Sequence, residues 1–178
     1  MTARARRSDA RDNQALLLAA AKEVFAEDGP DAPLDRVARR AGVGNATMYR
    51  HFPNRRELVV AVYADEVAEL RSRANLDADD AGEALFAWLE LFIEHVRTKR
   101  ALALSLADPA GEHESLFAGW HAAMNTTAAT LLGRARAAGH VAPDVTELDL
   151  LLLATGIALS GGEPARLLTL VRRGASAR

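Results

Sequence analysis

Residues 34–54 read LDRVARRAGVGNATMYRHFPN. Leu34, Val37, Ala38 and Ala41 recur at helical spacing, and Asp35 stands where a carboxylate favours a helix amino terminus. Gly42-Val43-Gly44 is a brief turn, and Asn45 to His51 leaves room for a second short helix before Phe52-Pro53-Asn54 closes it. Two helices of about two turns joined by a glycine-bearing turn form the helix-turn-helix pattern. Upstream, a helix over residues 12–28 gathers Leu17, Leu18, Ala21, Val24 and Phe25 on one face, and Gly29-Pro30 stops it. Downstream, Arg55 opens a longer helix reaching Asn75, with Leu58, Val59, Val62, Tyr63, Val67 and Leu70 as its apolar positions.

Beyond the polar break at Asp77 to Asp80 every segment reads helical: residues 81–97, 99–107, 112–138, 147–159 and 163–172. Asp108-Pro109, Gly139 with Pro143, and Gly161-Gly162 before Pro164 punctuate them, and no run alternates as a strand would. The expectation is an all-α fold of about nine helices, an amino-terminal three-helix helix-turn-helix domain followed by a carboxy-terminal helical bundle. Its expected parts are a flexible basic arm at residues 1–11, the helix-turn-helix unit at 12–56 and the body at 57–178.

Composition fits this plan. The chain has 178 residues, 49% of them apolar, enough for one domain of ordinary size or two small helical units. Cysteine is absent, which removes disulfides, thiol catalysis and cysteine metal sites and suits a reducing cytosol. The strongly apolar run Leu150 to Leu159 is far short of the ~18 residues a membrane helix needs, so a soluble, cytoplasmic protein is expected. Net charge is only −2, yet residues 1–56 hold 11 Lys/Arg against 7 Asp/Glu, while residues 57–178 hold 11 against 17. A basic first third on an acidic body points to a polyanion as partner of the first third, unless the charges are simply solvated scatter.

In a helix-turn-helix the second helix enters the major groove of DNA. On that helix Thr47, Tyr49, Arg50 and His51 can reach phosphates, and Asn45 with Ala46 lies at the tip nearest the bases. An asparagine amide can pair with adenine, while hydroxyl, imidazole and guanidinium groups anchor the backbone. Met48 and Phe52 are expected to turn inward, and Arg55 with Arg56 adds charge suited to phosphate capture. The plainer alternatives are that Tyr49 is a half-buried core aromatic and that His51 merely closes a short helix.

The stretches Leu34 to Val43 and Thr47 to Leu58, with Val24-Phe25-Ala26-Glu27-Asp28-Gly29 upstream, closely resemble the DNA-binding domain of the TetR family of bacterial transcriptional regulators. The resemblance covers residues 12–58. It implies a homodimer that binds double-stranded DNA at a near-palindromic operator, usually as a repressor released by a small ligand, with no cofactor. It carries backbone contacts onto Thr47, Tyr49, His51 and Arg55, base reading onto Asn45 and Ala46, and a helper's role onto Arg36. Arg55 stands where lysine is commonest, which keeps the charge and changes the geometry. Two departures are Pro33, where threonine often caps the second helix, and Gly44, which replaces a small hydroxyl residue ahead of the reading helix.

The body offers no enzyme constellation: the five histidines (His51, His95, His113, His121, His140) include no His-x-x-x-His pair. There is also no glycine-rich phosphate loop and no Gly-x-Ser-x-Gly elbow, so no enzyme is expected. Trp88, Phe92 and His95 share one helix side, and Trp120, His121 and Met124 lie together on another helix. They are either ordinary bundle core or the lining of a cavity for a small apolar or weakly polar organic ligand. The resemblance places an inducer pocket in this region without selecting these residues.

The helix at 147–159 is apolar nearly all round, so one side is expected to meet a partner subunit through Leu148, Leu152, Thr155 and Leu159, extended by Leu167 and Val171. The resemblance agrees, since the family's usual dimer interface is made by the last two long helices of each subunit. Two rival readings stay open: a helix-turn-helix activator or co-regulator without a small-molecule effector, and a helical interaction protein or enzyme that never meets DNA.

Overall fold

The computed structural model describes residues 3–106 and 114–176, all of whose regular structure is α-helix. The helices are α1 (Ala3–Asp28), α2 (Leu34–Arg40), α3 (Asn45–His51), α4 (Arg55–Ser72), α5 (Ala81–Leu106), α6 (Glu114–Ala137), α7 (Glu147–Leu159) and α8 (Pro164–Ala175). Among the described residues there are thus eight helices where about nine were expected. The difference lies at residue 98, where two expected helices are the single α5. Nothing in Arg97-Thr98-Lys99-Arg100 interrupts the backbone ladder, and the Thr98 hydroxyl donates back to the Glu94 carbonyl at 2.8 Å, a bond a helix tolerates.

A second difference is at the amino terminus. Residues 3–11, expected as an arm without regular structure, continue α1. Their alanines and arginines are strong helix formers, and no glycine or proline separates them from the amphipathic part of the helix.

The chain divides into two compact units, Met1–Asp65 with Ala101–Ala107, and Glu66–Arg100 with Asp108–Arg178. The boundary expected after residue 56 therefore falls inside α4, which contributes to both units. In the first unit the buried apolar side chains include Leu17, Ala21, Val24 and Phe25 of α1, Val37 and Ala38 of α2, Met48 of α3, Phe52, and Leu58, Val59 and Val62 of α4. These are the period-matched positions of each helix, so burial and local propensity agree.

In the second unit Leu85, Trp88, Leu89, Phe92 and Ile93 of α5, Leu131 and Leu132 of α6, and Leu150, Leu151, Ala154 and Ile157 of α7 are buried. Trp88 is not a bare hydrophobe: its Nε1 donates to the Leu70 carbonyl at 3.0 Å, which ties α4 to α5. α5 begins at a cap in which Asp80 Oδ1 accepts from the Glu83 amide at 2.8 Å. Thr146 and Asp149 form a reciprocal capping box ahead of α7.

Gly82, buried near the start of α5, lies against the side chain of His140. A Cβ there would run into His140 Nδ1 and stand 2.9 Å from its Cγ. Overpacking of this kind costs ~1–3 kcal/mol, offset in part by the ~0.8–1 kcal/mol that alanine gains over glycine in a helix. Gly82→Ala is expected to destabilise the chain by about 1 kcal/mol, and adding His140→Ala to remove that loss. Equilibrium urea unfolding of the single and double variants measures the difference.

Candidate nucleic-acid interface

The turn between α2 and α3 is set by backbone chemistry. Gly42 has φ +69°, a left-handed conformation that L side chains resist. The Val43 amide donates to the Ala38 carbonyl at 3.0 Å and the Gly42 amide to the Arg39 carbonyl at 3.2 Å. This paired pattern terminates α2 and satisfies its last carbonyls. Gly44 then precedes α3 without any side-chain cap, as Pro33 does for α2.

α3 has one anchored face. Met48 is 0% exposed and Phe52 is buried just past the helix end, which leaves the opposite side outward. Asn45, Ala46, Tyr49 and Arg50 are exposed, Tyr49 at 47%, and Thr47 and His51 are half-buried. Six of the expected DNA-contacting residues thus lie together on one short helix. Tyr49 is no core aromatic. His51 is turned partly inward, with its ring 6.5 Å from that of Phe52 and its Nε2 buried without a hydrogen-bond partner among the described residues.

Two other expected contacts are engaged inside the protein. Arg36 pairs with Glu27 at 2.6 Å and with Asp28, which ties α2 to the end of α1. Arg55 Nη1 donates to the carbonyls of Pro30, at 2.8 Å, and Ala32. Arg40 is bound by Glu23 at 2.8 Å and Glu27 at 2.9 Å, and Lys22 by Asp65 at 2.8 Å. The α1–α2 charge network escaped the sequence reading, although Glu23 and Glu27 one helical turn apart were its available signal.

In the second unit Trp88 is 1% exposed and stacks on Phe92 with ring centres 5.8 Å apart. His95 is buried, and burial pushes its imidazole below the usual histidine range; the charge of Glu66 opposes this shift and that of Lys99 adds to it. Lys99 and Glu66 pair at 2.8 Å beside it. His95 lines a depression of about 160 Å³ with these two residues, and Trp88 borders another of about 320 Å³ with Arg73 and Asp80. Phe92, Trp120, His121 and Met124 line neither.

On α6 Met124 is buried, Trp120 half-buried and His121 exposed. Trp120 packs edge-on against Phe117 at 5.3 Å. Phe117 was missed, though its spacing of three and four residues from Trp120 and His121 places it on their face. Among the described residues no group of three His, Cys, Asp or Glu side chains could hold a metal ion, and no helix is long and apolar enough to cross a membrane.

On α7 Leu148, Leu152 and Leu159 are exposed and Thr155 is half-buried. Leu167 and Val171 of α8 are half-buried. Leu153 and Leu170, absent from the expected set, are exposed as well. Leu152, Leu153, Leu170 and Val171 edge an open groove of about 750 Å³. Leu151 and Ala158, next in sequence to Leu152 and Leu159 of this stripe, are buried.

Two family models match the chain. Residues 17–62 match "Bacterial regulatory proteins, tetR family", and residues 80–176 match "Transcriptional regulator SbtR-like, C-terminal domain". The chain belongs to the TetR family of bacterial transcriptional regulators. The crystal structure of a TetR transcription regulatory protein from Mycobacterium vanbaalenii is similar at 33% identity and TM-score 0.79, covering 96% of this chain and 99% of that one. A TetR transcriptional regulator from Streptomyces coelicolor is similar at 38% identity and TM-score 0.67, covering 91% and 97%. An uncharacterised HTH-type transcriptional regulator, TtgW of Pseudomonas putida, is 41% identical over 63 residues, 35% of this chain and 47% of that protein. The chain spans about half the length of the first curated relatives it matches.

In this TetR-family chain the acids of α1 hold the second helix in place. The Arg40 hydrogen bond is the largest influence on the Glu27 carboxyl; desolvation opposes it, but the charges of Arg40 and Arg36 and the Arg36 hydrogen bond add to it and hold the group below the ordinary glutamate value near 4.5. A depressed carboxyl pKa contributes stability that is complete above the unfolded-state value and disappears as pH falls through the folded-state value. Wild-type stability is therefore expected to fall more steeply than that of Glu27→Gln as pH drops from about 5 to about 3. Urea titrations across that range, read by circular dichroism, check it; equal slopes would remove the network's role.

Proposed function

We propose that this chain is a homodimeric, sequence-specific DNA-binding regulator, acting as a repressor that a small apolar or weakly polar organic ligand releases from a near-palindromic operator. The observation that carries the reading is α3, held by buried Met48 with Asn45, Ala46, Tyr49 and Arg50 outward beyond a glycine-fixed turn. Asn45 and Ala46 read bases; Thr47, Tyr49, Arg50 and His51 position the helix on phosphates. The ligand part rests on the body's aromatic and histidine groups: Phe117, Trp120 and His121 accessible in part on α6, and His95 beside a small depression.

Selection of bound sequences from random duplex DNA tests the reading. A near-palindromic consensus is expected, and release of that duplex by members of a panel of small organic molecules tests the ligand half. On the selected duplex Asn45→Ala is expected to lose about 1–3 kcal/mol of discrimination at one base pair in each half-site. Competition with single-base variants measures this, and an unchanged base preference assigns the reading of that position to another residue.

The dimer surface is the stripe of Leu148, Leu152, Thr155 and Leu159 with Leu167 and Val171, to which Leu153 and Leu170 now belong. A module reading one half-site needs a second on the same face of the duplex, about 34–36 Å or a multiple away, and a two-fold dimer supplies it. Leu152 is 62% exposed in the protomer, so Leu152→Glu disturbs no core within it. Across a dimer seam the same carboxylate would be buried without a partner, at a cost of several kcal/mol. Sedimentation with circular dichroism is expected to show a helical monomer with lost operator affinity. A helical dimer that still binds the operator would refute the assignment.

A further inference from the structure

We infer that Arg55 is a positioning residue of the DNA-reading unit, its guanidinium holding the α1–α2 loop to the first turn of α4 and making no phosphate contact. The inference rests on the reading of α3 as the DNA-contacting helix. Arg55 is the first residue of α4, directly after Asn54, whose Oδ1 accepts from the Glu57 amide at 2.9 Å and whose Nδ2 donates to the Glu57 carboxylate at 3.0 Å. A cation at that end of a helix is opposed by the helix dipole, and nearby carbonyl acceptors offset that repulsion.

The acceptors are present. Nη1 donates to the Pro30 carbonyl at 2.8 Å and to the Ala32 carbonyl, and the side chain is partly buried. Charge-assisted bonds of this kind are about twice as strong as neutral ones. Both acceptors are met by Nη1, which holds this end of the guanidinium against the loop.

What these bonds secure is the attitude of α3. Pro33 leaves α2 without a side-chain cap, and within the loop the backbone bond from the Ala32 amide to the Gly29 carbonyl is long, at 3.2 Å. Arg55 spans 23 residues of chain to reach Ala32, and α2, the turn and α3 all lie within that span. The clasp therefore closes the segment that carries the reading helix at its two ends. Supporting contacts of this type hold a recognition group in its productive geometry without touching the target.

Salt dependence separates positioning from phosphate contact. Each phosphate contact contributes about −0.9 to the slope of log K against log salt, whereas a positioning group contributes affinity without changing that slope. Full-length wild type, Arg55→Gln and Arg50→Gln are compared on the selected duplex and on random duplex across a salt series. The temperature is kept where circular dichroism shows every variant folded.

Arg55→Gln is expected to bind the selected duplex roughly tenfold more weakly along a line parallel to wild type, with reduced preference over random duplex. Arg50→Gln, from the exposed face of α3, is expected to give a shallower line. A shallower line for Arg55→Gln, or an unchanged affinity, would overturn the inference. If Arg55→Gln does not fold, nitrogen-labelled wild type decides. Its Arg55 guanidinium protons are expected to be protected from solvent exchange before duplex is added and to stay so afterwards, and protons that exchange rapidly in the DNA-free protein overturn the clasp. A wild-type chain that selects no duplex removes the DNA-binding reading itself and leaves the clasp to be judged on that protection.

Discussion

The burial of Met48 is the constraint on which the reading helix depends. α3 has only seven residues, too few to be stable alone in water, so its existence and its orientation both come from tertiary packing. Met48 and Phe52 supply that packing, and they do so on one side. With that side fixed, helical period turns Ala46 and Arg50 outward and Tyr49 to the flank, while Asn45 is exposed because it opens the helix. The left-handed Gly42 makes the same demand from the other direction, since a turn with any other dihedral would rotate α3 off its anchor. Core chemistry thus decides which polar groups a partner can meet.

Charge in the first unit behaves differently from what counting suggests. The excess of Lys/Arg over Asp/Glu in residues 1–56 points towards a polyanion. Yet Lys22, Arg36, Arg40 and Arg55 are each engaged by carboxylates or carbonyls of the protein. Exposed pairs of this kind contribute little individually to stability. Their consequence is geometric: Glu23, Glu27 and Asp28 grip Arg36 and Arg40, two of the three arginines of α2, so the helix that precedes the turn cannot roll on α1 without breaking several bonds together. The cations that remain exposed on the outer face include Arg39 and Arg50, closer to the turn and the reading helix.

Element type was legible from the sequence because apolar spacing, breakers and burial coincide for α1 to α4. It was less legible where one signal had to stand alone. The absence of amphipathic period before residue 12 suggested an arm, but alanine and arginine propagate a helix without needing a buried face. Residue 98 stands between two expected helices, but the Thr98 hydroxyl bonds back to Glu94 and one helix passes through. Site residues followed the same division. The α3 face was readable from period, whereas the engagement of Arg36 and Arg55 depends on partners 8 to 25 residues distant that no local pattern reveals. The two aromatic sets of α5 and α6 illustrate a further limit. Spacing shows which side chains share a helix face, and Trp88 shares its face with Phe92, yet its indole is consumed by a bond to α4.

α7 shows why an all-apolar helix resists assignment by period. Its leucines occupy every side, so no direction is marked as the core from composition alone. In the fold Leu150, Leu151, Ala154, Ile157 and Ala158 are buried, at spacings of one, four, seven and eight from the first. Leu148, Leu152 and Leu159 fall on the complementary side, and Leu153 extends it towards Leu170 on α8. Neighbouring leucines with the same chemistry therefore carry opposite roles: Leu151 holds the protomer together, while Leu152 leaves most of its surface in water. A helix that keeps so much leucine exposed on one face bears a hydration cost, which covering that face would relieve. The buried face needs only part of the apolar residues present, and the excess is concentrated along the side assigned to the proposed dimer seam.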